Sequence, residues 1–346
     1  MDEIVLKKSF QVFHIMKIII TGGTGFLGSS LTKNLLEAGH EVHTIGRRPL
    51  ISTSIQTEDS HHTFDLTKGI LPNSLLRGTD IFFHVAAKAG VWGKYSEFYN
   101  ANVLATENIL SSCQSANIPR FIYTSTPSVV FSAQSINHGN ESLPYGNTGF
   151  SPYAETKSIA EQKVLQANKF GEFQTLALRP HLVWGEHDPH LLPRVIKRHK
   201  KGKLRIIGQG QNKVDMTHID NVTHAHVCAM NAMVKNKNLG GNPYFIGQGE
   251  PIILWEWLNE VFQLIGLPPI KQKLSFQNAF LLGSTLENIW KFLRIKKEPP
   301  MTRFVACQLA HDHWFSTHSA ENDLGYRPIK NMKDALQESI PWLKSL

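Results

Sequence analysis

The chain has 346 residues, 41% of them hydrophobic and 18% charged. That is enough for one large or two coupled globular domains, and it excludes disordered, collagen-like and coiled-coil classes. Its net charge of +8 comes from scattered basic residues, the densest being His199, Lys200, Lys201 and Lys203, so nucleic acid is not expected as a partner. Cys113, Cys228 and Cys307 have no paired spacing, which excludes a disulfide framework or a cysteine-based zinc site and fits a reducing cytoplasm.

Residues 1–15 lack any helical or strand pattern continuous with the segment beginning at Met16, and Asp2, Glu3, Lys7 and Lys8 make them too polar for a secretory signal. They read as an extension, with Met16 as an alternative start. Lys17 to Ile20 is an apolar run, Thr21 to Gly25 a glycine turn, and Leu27, Leu31, Leu35 and Leu36 come next at helical spacing up to Gly39. Strands are expected at Glu41–Ile45, Thr63–Asp65, Ile81–Val85, Arg120–Thr124 and Gln174–Leu178, with helices between them through Ile109 and Val164. This alternation predicts an α/β fold, a doubly wound parallel (Rossmann) sheet, with a smaller, mostly helical substrate domain. The expected division is residues 16–185 plus about 214–250 for the dinucleotide-binding domain, and about 186–213 plus 251–346 for the other.

Gly22, Thr24, Gly25, Phe26, Leu27 and Gly28 form a glycine-rich phosphate loop between strand and helix. The glycines permit backbone to approach a pyrophosphate, and the helix start offers free N–H groups and a positive dipole end. At the end of the second strand, where a carboxylate would bind a ribose 2′-hydroxyl, stand Gly46, Arg47 and Arg48. Two guanidiniums without a carboxylate favour NADP(H), with NAD(H) the other option. Asp65 and Leu66 come after the third strand, where an adenine contact or a simple turn cap is expected.

Tyr153 and Lys157 lie four residues apart, on one face of a helix that Ser151 can cap and Pro152 and Glu155 suit. An ammonium beside a phenol lowers its pKa, which equips Tyr153 to exchange a proton with a carbonyl or alcohol oxygen. Thr126 and Ser125, at the carboxyl edge of the sheet, can hold that oxygen. A second such spacing, Tyr326 to Lys330, is broken by Pro328 and reads as coincidence. His224, His226, His311 and His313 have no Cys partner and no His-Glu-x-x-His spacing, so no metal is expected.

Together these residues resemble the extended short-chain dehydrogenase/reductase superfamily, from Met16 nearly to the C-terminus. The resemblance implies Thr126, Ser125, Tyr153 and Lys157 as catalytic residues and Asn102 as support for a proton relay, with Ala105 standing where the family usually has glycine. It implies that Ala86 and Ala87 wall the cofactor and that Pro180 and Val183 lie on its nicotinamide side. Three segments, Thr124–Phe131, Arg179–Pro193 and Val214–Asn221, are most similar to the 3β-hydroxysteroid dehydrogenase branch, in particular bacterial 2-alkyl-3-oxoalkanoate reductases and sterol-4α-carboxylate 3-dehydrogenases. The implied function is NAD(P)-dependent interconversion of a ketone and a secondary alcohol on a lipophilic β-keto acid. The alternatives are a steroid or sterol carboxylate substrate and nucleotide-sugar epimerisation or dehydration. Arg179, His181, His190 and Arg194 are candidates to meet a substrate carboxylate, and a homodimer is expected. The basic, apolar stretch 276–297 either touches a membrane surface or covers the substrate pocket.

Overall fold

A computed structural model describes residues 15–49, 60–146 and 149–346, so all but the last residue of the expected extension 1–15 lies outside the described residues. Seven strands form the main sheet: β1 (Lys17–Thr21), β2 (Glu41–Gly46), β3 (His61–Thr63), β4 (Ile81–His84), β5 (Arg120–Thr124), β6 (Gln174–Pro180) and β7 (Pro243–Ile246). All are parallel, in the order β7-β6-β5-β4-β1-β2-β3. The inner strands are buried on both faces, which is why Ile18 to Ile20 and Ile81 to Phe83 read as apolar runs without alternation. The direction of winding reverses between β1 and β4, and ligands of such sheets bind in the crevice at that point, outside the carboxyl ends of the strands.

One face of the sheet is covered by helices α1 (Phe26–Glu37) and α4 (Ile219–Lys235), around Leu31, Leu35, Ala229 and Met233. The other is covered by α2 (Ala105–Ser115) and α3 (Pro152–Gln166), around Ile109, Cys113, Ala160 and Val164. A second core, containing Trp184, Ile196, Val214, Trp257 and Leu336, is built with helices α5 (Leu254–Leu264), α6 (Phe276–Phe292) and α7 (Arg303–Ala310). The two bodies interleave more than a division at residue 251 allows. Val214 and Met216 join the second core, whereas Ala320, Leu324 and Tyr326 return to pack on the main sheet.

Two local expectations shift. The third strand is His61–Thr63, two residues earlier than 63–65, because His61 pairs with Thr44 on β2 and its Nδ1 meets that residue's hydroxyl at 2.8 Å. The helix before β5 is interrupted by a π-helical turn, Asn100–Leu104, which apolar periodicity does not reveal. Among the described residues no helix is long and apolar enough to cross a membrane.

Helices α6 and α7 touch at backbone distance. A Cβ on Gly283 would stand 2.6 Å from the carbonyl carbon of Thr302 and 2.7 Å from the nitrogen of Arg303. Beside it, Arg303 donates to both carboxylate oxygens of the buried Glu287, through its main-chain N–H at 2.7 Å and its Nε at 2.9 Å. Gly283→Ala would gain at most about 1 kcal/mol of helix propensity. Forcing the two backbones apart costs ~1–3 kcal/mol, so urea denaturation is expected to show net destabilisation.

Candidate active site

The glycine loop is held by its own backbone. Gly22 adopts a φ of +73°, donates its N–H to Ile45 and accepts that of Gly25. A Cβ on Gly28 would lie 2.0 Å from the Gly22 carbonyl oxygen, so the helix can approach the strand only without a side chain there. Gly25 begins α1 with no side-chain cap and no acidic residue in the first turn, while Phe26 and Leu27 open the helix and Thr24 and Gly25 are exposed at its mouth. A helix start with unclaimed N–H groups and close-packed glycines fits a dinucleotide pyrophosphate. Arg47 and Arg48 are exposed immediately after Gly46. Asp65 caps a turn: its carboxylate accepts the N–H and hydroxyl of Thr67 at 3.1 and 2.8 Å, and these bonds lower its pKa. Leu66 is buried in the core behind it.

The wall opposite the loop is fixed by a buried chain of hydrogen bonds. Burial pushes His84 down to about 3, so its ring is neutral. Thr106 donates its hydroxyl to the Asn102 carbonyl at 2.6 Å and therefore accepts from His84 Nε2 at 2.9 Å. That assignment leaves Nδ1 to accept from Thr21, whose oxygen in turn receives the N–H groups of Val85 and Ala86. Ala86 thereby sits against Gly22, with Ala87 exposed beside it. Asn102, in the π turn, accepts the Lys88 N–H at 2.7 Å and donates to the Lys88 carbonyl at 3.1 Å and the Thr156 hydroxyl at 3.0 Å. Its side chain thus ties the loop after β4 to α3. This is a positioning role, and the expected place in a proton relay does not follow from these contacts.

Helix α3 begins as its sequence indicates. Ser151 accepts the Ala154 N–H at 3.2 Å, Pro152 is the first helical residue and Glu155 lies in the first turn. The Thr126 hydroxyl donates to the Ser128 hydroxyl at 3.3 Å and accepts the Ser128 N–H at 3.2 Å, and it lies near enough to the Tyr153 phenol to lower its pKa. Ser125 donates its N–H to Leu178 at 2.6 Å, and its buried hydroxyl has no partner among the described residues. Lys157 is 1% exposed; its ammonium donates to the Thr124 carbonyl at 2.6 Å and lies 4.0 Å from the centre of the Tyr123 ring. Burial pushes Lys157 down to about 7 and Tyr153 up to about 12. The expected lowering of the phenol toward neutrality is therefore absent, because desolvation outweighs the one opposing influence, the Thr126 hydroxyl.

Pro180 is paired with Ile246 at the end of β6, and Val183 pairs with Thr217, so the intervening loop crosses the carboxyl edge of the sheet beside Thr126. A narrow cleft of about 20 Å³ lies there, lined by Pro127, Ser128, Phe131, Cys307 and Phe315 together with His181, His311 and His313. Among the cleft residues after 300, only the His311 and His313 pair shows a chemical pattern in the sequence. His313 donates Nε2–H to the Gln308 carbonyl at 2.7 Å, and its ring lies 4.8 Å from that of His181. Burial holds His181 well below its usual value and His313 at about 4, so neither supplies a cation.

The other candidates for a substrate carboxylate do not converge on this cleft. Arg179, 2% exposed, is held by Glu161 through Nε and Nη2, and Tyr145 donates to the same carboxylate at 2.8 Å. An arginine buried among Phe245, Tyr145 and a carboxylate is a structural ion pair. Arg194 pairs with Glu298 at the surface, and His190 is exposed beyond Asp188, which accepts its N–H. The second tyrosine–lysine spacing is structural: Tyr326 donates to the Gly247 carbonyl, and Lys330 pairs with Asp220 and Glu338.

Residues 19–276 match the 3-beta hydroxysteroid dehydrogenase/isomerase family. The chain belongs to that family. It is 40% identical over 324 residues to the 2-alkyl-3-oxoalkanoate reductase of Stenotrophomonas maltophilia (strain K279a), covering 93% of this chain and 98% of that protein. It is 31% identical over 338 residues to the sterol-4-alpha-carboxylate 3-dehydrogenase, decarboxylating, of Mus musculus, covering 94% and 90%. Among solved structures, gox2253 superposes with a TM-score of 0.75 at 25% identity over 95% of this chain and 98% of that one. The UDP-glucuronic acid 4-epimerase of Bacillus cereus in complex with NAD, at 24% identity, a TM-score of 0.71 and coverage of 95% and 99%, shows the fold alone. As a member of the 3-beta hydroxysteroid dehydrogenase/isomerase family, the chain is a nicotinamide-dependent oxidoreductase acting between hydroxyl and keto groups.

Burial of these charges has two expected outcomes. Glu161→Leu leaves Arg179 unpaired in the core and should destabilise the protein by ~3–5 kcal/mol in chemical denaturation, whereas adding Arg179→Met should restore most of the loss. For Lys157, both folded and unfolded states carry the proton below about pH 7, and only the unfolded state carries it between about 7 and the ordinary value of 10.5. The unfolded state binds more protons in that window, so stability rises with pH across it. Lys157→Met should flatten that rise, as read by denaturation of the cofactor-free protein at a series of pH values.

Proposed function

We propose that the protein reduces the ketone of a lipophilic β-keto acid, a 2-alkyl-3-oxoalkanoate, to the corresponding β-hydroxy acid, using NADPH. The observation that carries this reading is that the strand end bearing Thr126, whose hydroxyl acts on the Tyr153 phenol, runs straight into Pro127, Ser128 and Phe131, which line a narrow cleft whose walls are apolar or neutral. Such walls suit an alkyl chain and offer little to a charged sugar nucleotide. The 40% identical reductase from Stenotrophomonas maltophilia supports the same substrate class. Its runner-up, a sterol carboxylate, presents the same arrangement of oxygen functions on a larger apolar body and is supported by the 31% identical mouse relative.

The glycine loop, Ala86, Ala87, Pro180 and Val183 would hold the dinucleotide, and the exposed Arg47 and Arg48, with no carboxylate at the end of β2, favour its 2′-phosphate form. The bound nicotinamide supplies hydride to the ketone carbon. Thr126 orients the ketone oxygen and Tyr153 gives it a proton. Lys157, buried one helical turn away and fixed on Thr124, stabilises the resulting phenolate, which in turn favours its own charged form. The neutral ring nitrogens of His181, His311 and His313 meet the substrate's acid group as hydrogen-bonding partners instead of counter-ions.

The test runs in the oxidative direction with a racemic long-chain 2-alkyl-3-hydroxyalkanoic acid, following reduced-cofactor absorbance with NADP⁺ and NAD⁺ in parallel. Turnover should be faster with NADP⁺, fall by about 10²–10⁴-fold in Tyr153→Phe, and shift toward NAD⁺ when Arg47 and Arg48 are both replaced by serine. Absence of turnover with either cofactor, alongside oxidation of a sterol 4-carboxylate or conversion of a sugar nucleotide, would overturn the substrate assignment.

A further inference from the structure

Helix α6 is apolar on two sides. Its inner side is accounted for: Ala279, Gly283 and Glu287 are buried against α7, Phe280 packs edge-on to Phe150, and Phe276 lies 4.6 Å from the His311 ring in the cleft wall. Its outer side is not. At 3.6 residues per turn, Leu281, Leu282, Thr285, Ile289, Phe292 and Leu293 fall within an arc of about 120°. The five apolar residues among them are between 42% and 86% exposed, with Phe292 the most exposed of the group. Single exposed leucines are ordinary, but a continuous apolar stripe along one helix marks a contact surface.

The rim of the stripe has one sign of charge. Lys291, Arg294, Lys296 and Lys297 are exposed at its carboxyl end. The acids of the segment are already committed, Glu287 to Arg303 and Glu298 to Arg194. An apolar stripe of large side chains, with three lysines and an arginine at one end that form no ion pair among the described residues, is complementary to the headgroup boundary of an anionic bilayer. We propose that the outer face of α6, with the basic residues beyond its end, docks the protein on an anionic lipid surface. The first residue of the same helix, Phe276, packs on the cleft-lining His311, so docking brings the cleft close to the phase in which an alkyl or sterol substrate dissolves. The docking rests on exposed side chains and stands whatever the substrate proves to be.

The experiment is flotation of the full-length protein with phosphatidylcholine vesicles, with and without phosphatidylglycerol. The protein should float with the anionic vesicles, and added salt should weaken the association. Leu281→Glu combined with Phe292→Glu should lower the vesicle-bound fraction at least about tenfold. Replacing Lys291, Arg294, Lys296 and Lys297 by glutamine should abolish the preference for anionic vesicles, each contributing roughly fivefold. These positions are exposed, so unchanged thermal melting and unchanged turnover of a short-chain, water-soluble hydroxy acid separate loss of docking from loss of fold or of catalysis. Failure of the wild type to float, or equal flotation of the Leu281→Glu, Phe292→Glu variant, would overturn the proposal. So would a dimer in sedimentation that the same variant dissociates, since the stripe would then be a subunit interface.

Discussion

The bond from the Lys157 ammonium to the Thr124 carbonyl joins α3 to the carboxyl end of β5, and the relative placement of the two elements depends on it. It crosses from α3 to β5 at the point where the chain leaves the sheet, so Tyr153 on one side and Thr126 on the other are fixed relative to each other. The arrangement carries a cost, because an amine almost wholly removed from water loses its proton more readily than a free one. The compensation is partial in the ligand-free protein: one carbonyl, the face of Tyr123 and the more distant Glu161. A buried amine near its own midpoint at neutral pH can respond to charge appearing on a neighbouring phenol.

Around this bond the protein separates fixed charge from the reacting region. Arg179 and Glu161 neutralise each other behind the sheet edge, Glu287 and Arg303 do so between α6 and α7, and His84, His181, His226 and His313 are all held neutral by burial. His226 is occupied by the Thr124 hydroxyl and the Val222 carbonyl, which fixes the same strand end from its other face. The cleft is therefore polar in hydrogen-bonding capacity and nearly free of net charge.

Much of the dinucleotide half was legible because its determinants are local. Gly22 to Gly28 need a particular backbone within seven consecutive positions, and Tyr153 and Lys157 need one helical turn, so order along the chain and proximity in space coincide. The cleft was not legible, because residues 127–136, 181 and 307–315 meet only after the second core has formed. Arg179 misled for a related reason. A basic residue beside a candidate ligand loop looks available until the fold brings Glu161 and Tyr145 to it from other elements. The π turn left no trace in the apolar pattern, since Val103 and Ile109 remain buried with or without it.

That turn, Asn100–Leu104, holds one residue more than an α-helical turn would use. Its register sets the direction of Asn102, which binds the Lys88 main chain on one side and Thr156 on the other. The extra residue lets Asn102 stand out of the α-helical register while the positions on either side keep theirs, so removing it would let the segment close into regular α-helix and take that displaced position away. The amide would then leave both partners at once, and the loop bearing Ala86 and Ala87 would lose its tie to the helix bearing Tyr153. Length in this stretch is thus as tightly constrained as residue identity, and a family member one residue shorter here would need a different means of tying the loop after β4 to α3.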